Sequence, residues 1–253
     1  MHELLSRSSL FAGGSLADLE QIREVVRIPY MNMPEEYHKM SMSEVRAALV
    51  AQADARYREF CAGLLPAGAR LLGVRLPALR SMAKRMARGG QWRLASAPDA
   101  WMEELMLRGM LVGYAPRDVS VDERLAELEG FVPLIDNWSV CDSCCITYRF
   151  ARTHRERVWE WLAPYLRSEL EFCARFGVVM LWAHYRQERA WAARVAAALP
   201  GVPAEAYYAA MGVAWCACEL ALLYPAIGEE LLPALTPRVQ KLARRKMRES
   251  RRC

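Results

Sequence analysis

THRERVWEWLAPYLRSELEFCARFGVVMLWAHY, residues 153–185, places two helices of different character one after the other. In the first, Val158, Trp161, Leu162, Tyr165 and Leu166 recur at i, i+3, i+4, i+7 and i+8, while Arg155, Glu156 and Glu160 lie opposite. That is the signature of a helix with one buried face. The second, Phe172–Tyr185, is apolar almost all round and has to be covered on every side. Ser168 and Glu171 form an S-x-x-E signal between them, so the spacing predicts a second N-terminus there. A one-faced helix followed by a fully covered one is the outer and inner member of a two-layer, all-helical pair.

The same grammar extends in both directions. Capping boxes are predicted at Ser41–Glu44, Ser120–Glu123 and Thr153–Glu156, and Tyr207–Leu223 is a second all-round apolar helix. Pro77, Pro203 and Pro237 fit first-turn positions, and Gly89-Gly90 and Gly201 act as stops. Alternating β-branched runs are missing. The predicted helices are 43–64, 77–88, 98–114, 121–132, 137–150, 154–166, 169–185, 188–199, 203–223, 226–234 and 237–249, joined by short connections that favour antiparallel neighbours. Segments 107–115, 175–185 and 210–220 each set a small residue before an apolar run. Gly177 precedes Gly212 by the same 35 residues by which Asp142 precedes Gly177. This period predicts an all-α fold, an α-solenoid of HEAT-like antiparallel helix pairs whose concave face is the usual binding surface. The repeat domain is expected over residues 41–253. Residues 1–40, with a Gly-Gly-Ser break, two prolines and one helical candidate around Leu16–Val26, read as a partly disordered N-terminal extension lying upstream of the natural start.

Composition narrows the classes. The 253 residues are 54% hydrophobic and 25% charged, with no apolar run near the roughly 20 residues of a membrane span and no secretory leader. Eight cysteines without an export signal are expected as thiols in a reducing compartment, and the chain is expected in the cytoplasm. Cys141 and Cys144 have CxxC spacing but no second pair, and the four histidines form no ligand pair. No metal and no cofactor are therefore expected. The net charge of +5 is uneven: Pro237–Cys253 holds eight basic residues against Glu249 alone, among them Arg244, Arg245 and Lys246. Such a helix suits a polyanion, and equally a solvated helix end.

One pair looks chosen for chemistry. In FVPLIDNWSVCDSCC (131–145), Asp136 and Asn137 are N-cap residues, which sets Trp138 and Asp142 four apart on one helical face. An indole beside a carboxylate suits a cationic ligand, and it also fits a half-buried Trp with a local salt bridge.

From about Tyr57 to Ser250 the chain resembles the AlkD-like DNA alkylation repair proteins, DNA glycosylases of HEAT-like repeats. The resemblance is carried by LLGVRLPALRSMAK (71–84), by the W-x-x-x-D of Trp138–Asp142, by FCARFGVVML (172–181) and by YYAAMGVAWCACEL (207–220). It implies double-stranded, alkylated DNA as partner and a monomer that cleaves cationic N3- or N7-alkylpurines from deoxyribose. It implies Trp138 and Trp215 against the sugar, Asp142 stabilising the oxocarbenium and positioning water, and Arg175 on the adjacent phosphate. Taken without it, Trp215 fits a core residue and Arg175 fits an ion pair as well as a phosphate contact. The chain departs from the family in two places. CAGLLPAGAR, between Tyr57 and Gly73, carries Pro66 and two glycines where the family has a lesion-reading helical element, which is expected to be altered or absent. Cys218 and Met211 stand where basic residues are frequent. These departures keep two alternatives open: a non-catalytic module binding damaged or branched DNA, and a protein-interaction scaffold.

Overall fold

The computed structural model describes residues 40–65, 68–94 and 101–250, all within one compact unit, Tyr37–Cys253. The expected extension and its helix around Leu16–Val26 lie outside the described residues. Among the described residues there are twelve α-helices and no strand. They are α1 Met42–Val50, α2 Ala55–Ala62, α3 Leu76–Arg88, α4 Met102–Tyr114, α5 Val121–Phe131, α6 Trp138–Cys145, α7 Arg155–Leu166, α8 Glu171–His184, α9 Arg189–Ala198, α10 Tyr207–Leu223, α11 Pro225–Ala234 and α12 Pro237–Glu249.

The helices form two rows. In the inner row α4, α6, α8, α10 and α12 each pack on the next, and α3, α5, α7 and α11 lie against their inner neighbours. Helices α8 and α10 are buried along nearly their whole length, as their all-round apolar sequences require. In α7, Val158, Trp161, Leu162 and Leu166 are buried as predicted. Bonds between successive pairs recur at about one repeat. Trp161 Nε1 donates to Glu129 32 residues earlier, Tyr185 Oη to the Arg155 carbonyl 30 earlier, and Tyr224 Oη to the Gln187 carbonyl 37 earlier. The repeating small residues mark where helices touch. A Cβ on Gly109 would lie 2.4 Å from the Phe131 ring, and one on Gly177 would lie 3.0 Å from Leu166.

Several local expectations are corrected. The helix expected over 43–64 is broken into α1 and α2, because Asp54 accepts from the Tyr57 amide and restarts the chain. The capping boxes at Ser41–Glu44 and Ser120–Glu123 are present, and those at Thr153–Glu156 and Ser168–Glu171 are not. A 3-10 turn, Arg149–Arg152, precedes α7, and the Thr153 hydroxyl is used to satisfy the Phe150 carbonyl. Ser168 accepts from the Leu170 amide two residues on, short of the helix. Pro203 precedes α10 and does not open it. Helix α6 ends at Cys145, five residues before the predicted stop, where Thr147 Oγ1 donates to the Cys144 carbonyl.

The segment Leu71–Val74 is held by one buried carboxylate. Glu103 accepts from the amides of Leu72, Gly73 and Val74 at 2.9, 2.7 and 3.2 Å. Gly73 has φ +88°, and a Cβ there would meet the Asp54 carbonyl at 2.4 Å, so this turn is open to glycine alone. At the C-terminus of α4, the buried Arg124 guanidinium donates to the carbonyls of Val112, Ala115 and Pro116, completing a helix end that lacks partners of its own. The cysteines act as small core residues: Cys141, Cys144, Cys145, Cys173, Cys216 and Cys218 are buried thiols, and burial pushes the Cys144 and Cys145 thiols well up.

Candidate active site

Helix α6 starts where Asn137 caps it, the side-chain oxygen accepting from the Val140 amide at 3.0 Å. This fixes the face shared by Trp138 and Asp142. Trp138 is half-buried and its Nε1 donates to the Leu64 carbonyl at 3.1 Å. Leu64 follows α2, which carries Tyr57 and the half-exposed Phe60; of CAGLLPAGAR, where the family's lesion-reading element was expected to be altered or absent, only Cys61 and Ala62 are helical among the described residues.

Asp142 meets Arg175 in a two-point pair. Arg175 Nε donates to Oδ1 at 3.0 Å and Nη2 to Oδ2 at 2.8 Å. The third arm, Nη1, donates to the Tyr208 carbonyl at 2.8 Å, at the start of α10. One guanidinium thus ties three consecutive inner helices together. Its side chain is only 7% exposed, whereas the Asp142 side chain keeps 14%. Burial alone would pull the Arg175 pKa down; the adjoining carboxylate more than reverses that and holds it above its ordinary value. Of the two roles the sequence left open for Arg175, the ion pair is what is seen here, with a specified partner one repeat away.

Trp215 is half-buried, and its ring packs against Trp182 at 4.5 Å between centroids, tilted by 31°. The Arg186 guanidinium covers Trp182 at 4.4 Å. Gly212, three residues before Trp215 on the same face, lies against Arg175, 3.6 Å from a built Cβ to Cγ. Trp215 therefore stands about one turn beyond the Arg175 contact. Close by, the rings of Phe172 and Tyr208 lie 5.4 Å apart, and Tyr207 is half-exposed.

The basic tail is a docked helix. Val239 and Ala243 are buried and α12 packs on α10, leaving Arg244 exposed. Arg245 pairs with Glu249 at 2.8 Å, and Lys246 lies 3.6 Å from the same carboxylate. Trp182 was missed from sequence although it falls seven residues after Arg175 on one helical face. The carbonyls of Leu64 and Tyr208 were invisible, because no residue type announces a backbone acceptor.

Paired inner and outer helices that hold a tryptophan and a partly open carboxylate–guanidinium pair define a helical-repeat protein with a polar, aromatic-flanked site. The chain belongs to the DNA alkylation repair enzyme family, whose model matches residues 45–204. No curated protein matches it at a significant level. No helix among the described residues is long and apolar enough to cross a membrane.

Proposed function

We propose that this protein is a DNA glycosylase that hydrolyses the N-glycosidic bond of cationic N3- or N7-alkylated purines in double-stranded DNA. The observation that carries the reading is the partly open Asp142 carboxylate, aimed by two guanidinium bonds and set four residues from Trp138 in a chain of this family.

The chemistry follows from charge. An alkylated purine already carries a positive charge, so it departs as a neutral base and needs no acid of its own. The positive charge then moves to the deoxyribose. A carboxylate beside that sugar stabilises it, and a lone pair left over from the Arg175 bonds directs the attacking water. Trp138 and Trp215 offer ring faces to the same cation. Arg175 acts first by positioning Asp142, and its charge then attracts the neighbouring phosphate. Arg244, Arg245 and Lys246 supply further backbone contacts. The protein works as a monomer on a concave surface of HEAT-like repeats, in the cytoplasm at the nucleoid.

The test is single-turnover release of 7-methylguanine or 3-methyladenine from methylated duplex. Asp142→Asn keeps the shape and should lower the rate by about two orders of magnitude or more, with duplex affinity nearly unchanged. Equal rates remove Asp142 from the mechanism. A second reading, a non-catalytic module on damaged DNA, is favoured by one observation: both Asp142 oxygens and the Trp138 N–H are already engaged within the fold. Duplex binding without any base release by the wild type would decide for it.

A further inference from the structure

Away from the Asp142 pair, the structure holds a cleft of about 700 Å³ whose charged lining is wholly basic. Arg80, Lys84 and Arg88 come from α3, Arg117 from the turn after α4, and Arg149 from the turn after α6. The three on α3 are spaced i, i+4, i+8, so they form one stripe about 12 Å long. Lys84, Arg88, Arg117 and Arg149 are exposed and Arg80 is half-buried. None of the five makes an ion pair with a carboxylate of the described residues. Tyr114 stands among them: Lys84 Nζ lies 5.3 Å from its ring, and Arg80 and Arg149 are near enough to oppose the rise that burial gives its phenol.

The C-terminal ends of α4 and α6 face the same region, and cations there could merely offset helix dipoles. The magnitudes decide against that as the whole account. Two helix ends amount to about one negative charge against five positive ones, and at α4 the Val112 and Ala115 carbonyls are already capped by Arg124. About four charges are left over, with no carboxylate partner among the described residues. We infer that this cleft is a second DNA-contact surface, taking the phosphodiester backbone of the duplex away from the reacting nucleotide. The 12 Å stripe spans the axial rise of three to four nucleotides of one strand, at about 3.4 Å each, and Tyr114 lines the same cleft. The inference rests on the DNA-repair reading above and adds to it a basic track that the C-terminal helix does not supply.

The experiment measures anisotropy of a fluorescein-labelled, undamaged duplex against the full chain between about 50 and 200 mM salt. The Lys84→Gln, Arg88→Gln, Arg117→Gln triple variant should lose affinity by about 100-fold near 0.15 M and flatten the log–log salt slope by nearly three, at about 0.9 per phosphate. A charge-keeping triple variant, Lys84→Arg, Arg88→Lys, Arg117→Lys, should bind as the wild type does, which separates charge from folding. Unchanged affinity and slope in the Gln variant, with the wild type binding duplex, would overturn the cleft while leaving the repair reading intact. Failure of the wild type to bind duplex would overturn both. Binding of inorganic tripolyphosphate, or of a poly-glutamate peptide, at this cleft in place of duplex would reassign it to a small phosphate or to an acidic protein.

Discussion

Replacing Arg175 by Met deletes three bonds at once: two to Asp142 and one to the Tyr208 carbonyl. It leaves a carboxylate whose side chain is only 14% exposed, facing a methyl group. Breaking a buried pair from one side costs about 3–5 kcal/mol, because the remaining charge has lost water and partner alike. Removing both charged groups with apolar residues of similar size is much milder, since the desolvation cost disappears with them. The double variant Arg175→Met, Asp142→Leu should therefore recover most of the loss, less about 1 kcal/mol for the orphaned Tyr208 carbonyl. A double-mutant cycle, with Asp142→Leu as its other corner, should give a coupling of at least about 2–4 kcal/mol, and more by whatever Asp142→Leu costs in leaving the guanidinium unpaired. Urea unfolding followed by circular dichroism at 222 nm measures all four corners. Losses that add, with coupling below about 0.5 kcal/mol, would show that the pair does not tie α6 to α8.

Three further outcomes are expected. His184 is buried, its Nε2 bonded to the Cys145 carbonyl at 2.8 Å, and burial pulls its pKa down to about 4. The unfolded chain takes up that proton near 6.5 and the folded chain does not, so stability is full above about pH 6.5 and declines toward pH 4. By pH 5 the loss should be about 2 kcal/mol, and His184→Gln should remove this part of the pH dependence in urea titrations. Gly73→Ala should lower stability by about 2 kcal/mol or more, from the positive φ and the 2.4 Å approach to Asp54, seen as a lower Tm. Glu103→Leu should be worse, because three buried amides lose their acceptor together; a loss under about 1 kcal/mol would mean that water replaces the carboxylate.

How much of this was legible follows from what carries the information. Helix α7 could be read almost to the residue, because a buried stripe and a charged face are both written in residue types. The two inner helices α8 and α10 were legible for the opposite reason, having no polar face to display. The break between α1 and α2 was not. It depends on Asp54 capping a new helix, and an Asp at that place is also compatible with an unbroken exposed face. The early end of α6 depends on a threonine hydroxyl satisfying a carbonyl, and the stretch 137–150 has no glycine or proline to announce it. In the site, spacing put Trp138 and Asp142 on one face. The sequence alone could not choose between phosphate and carboxylate for Arg175, since an arginine interrupting an apolar run fits either.

On the proposed mechanism the Asp142–Arg175 pair makes catalysis and architecture share one bond network, and that constrains how the reaction can be dissected. The guanidinium reaches back 33 residues to Asp142 and forward 33 to the Tyr208 carbonyl, one repeat in each direction. A variant that removes Arg175 therefore loosens three inner helices and moves the carboxylate at the same time, so a fall in excision rate from Arg175→Ala would not assign a phosphate contact. Arg175→Lys is the sharper probe. Lysine keeps the charge but has no fork, so it can hold one Asp142 oxygen and not both while still attracting phosphate. If Arg175 serves mainly to aim the carboxylate, the lysine variant should keep duplex affinity and its salt slope while losing excision rate by about tenfold or more, with a milder loss of stability than Met. If its main work is on the phosphate, the retained charge should keep affinity, salt slope and excision rate near the wild-type values. Retention of full excision by Arg175→Lys would therefore refute the positioning role.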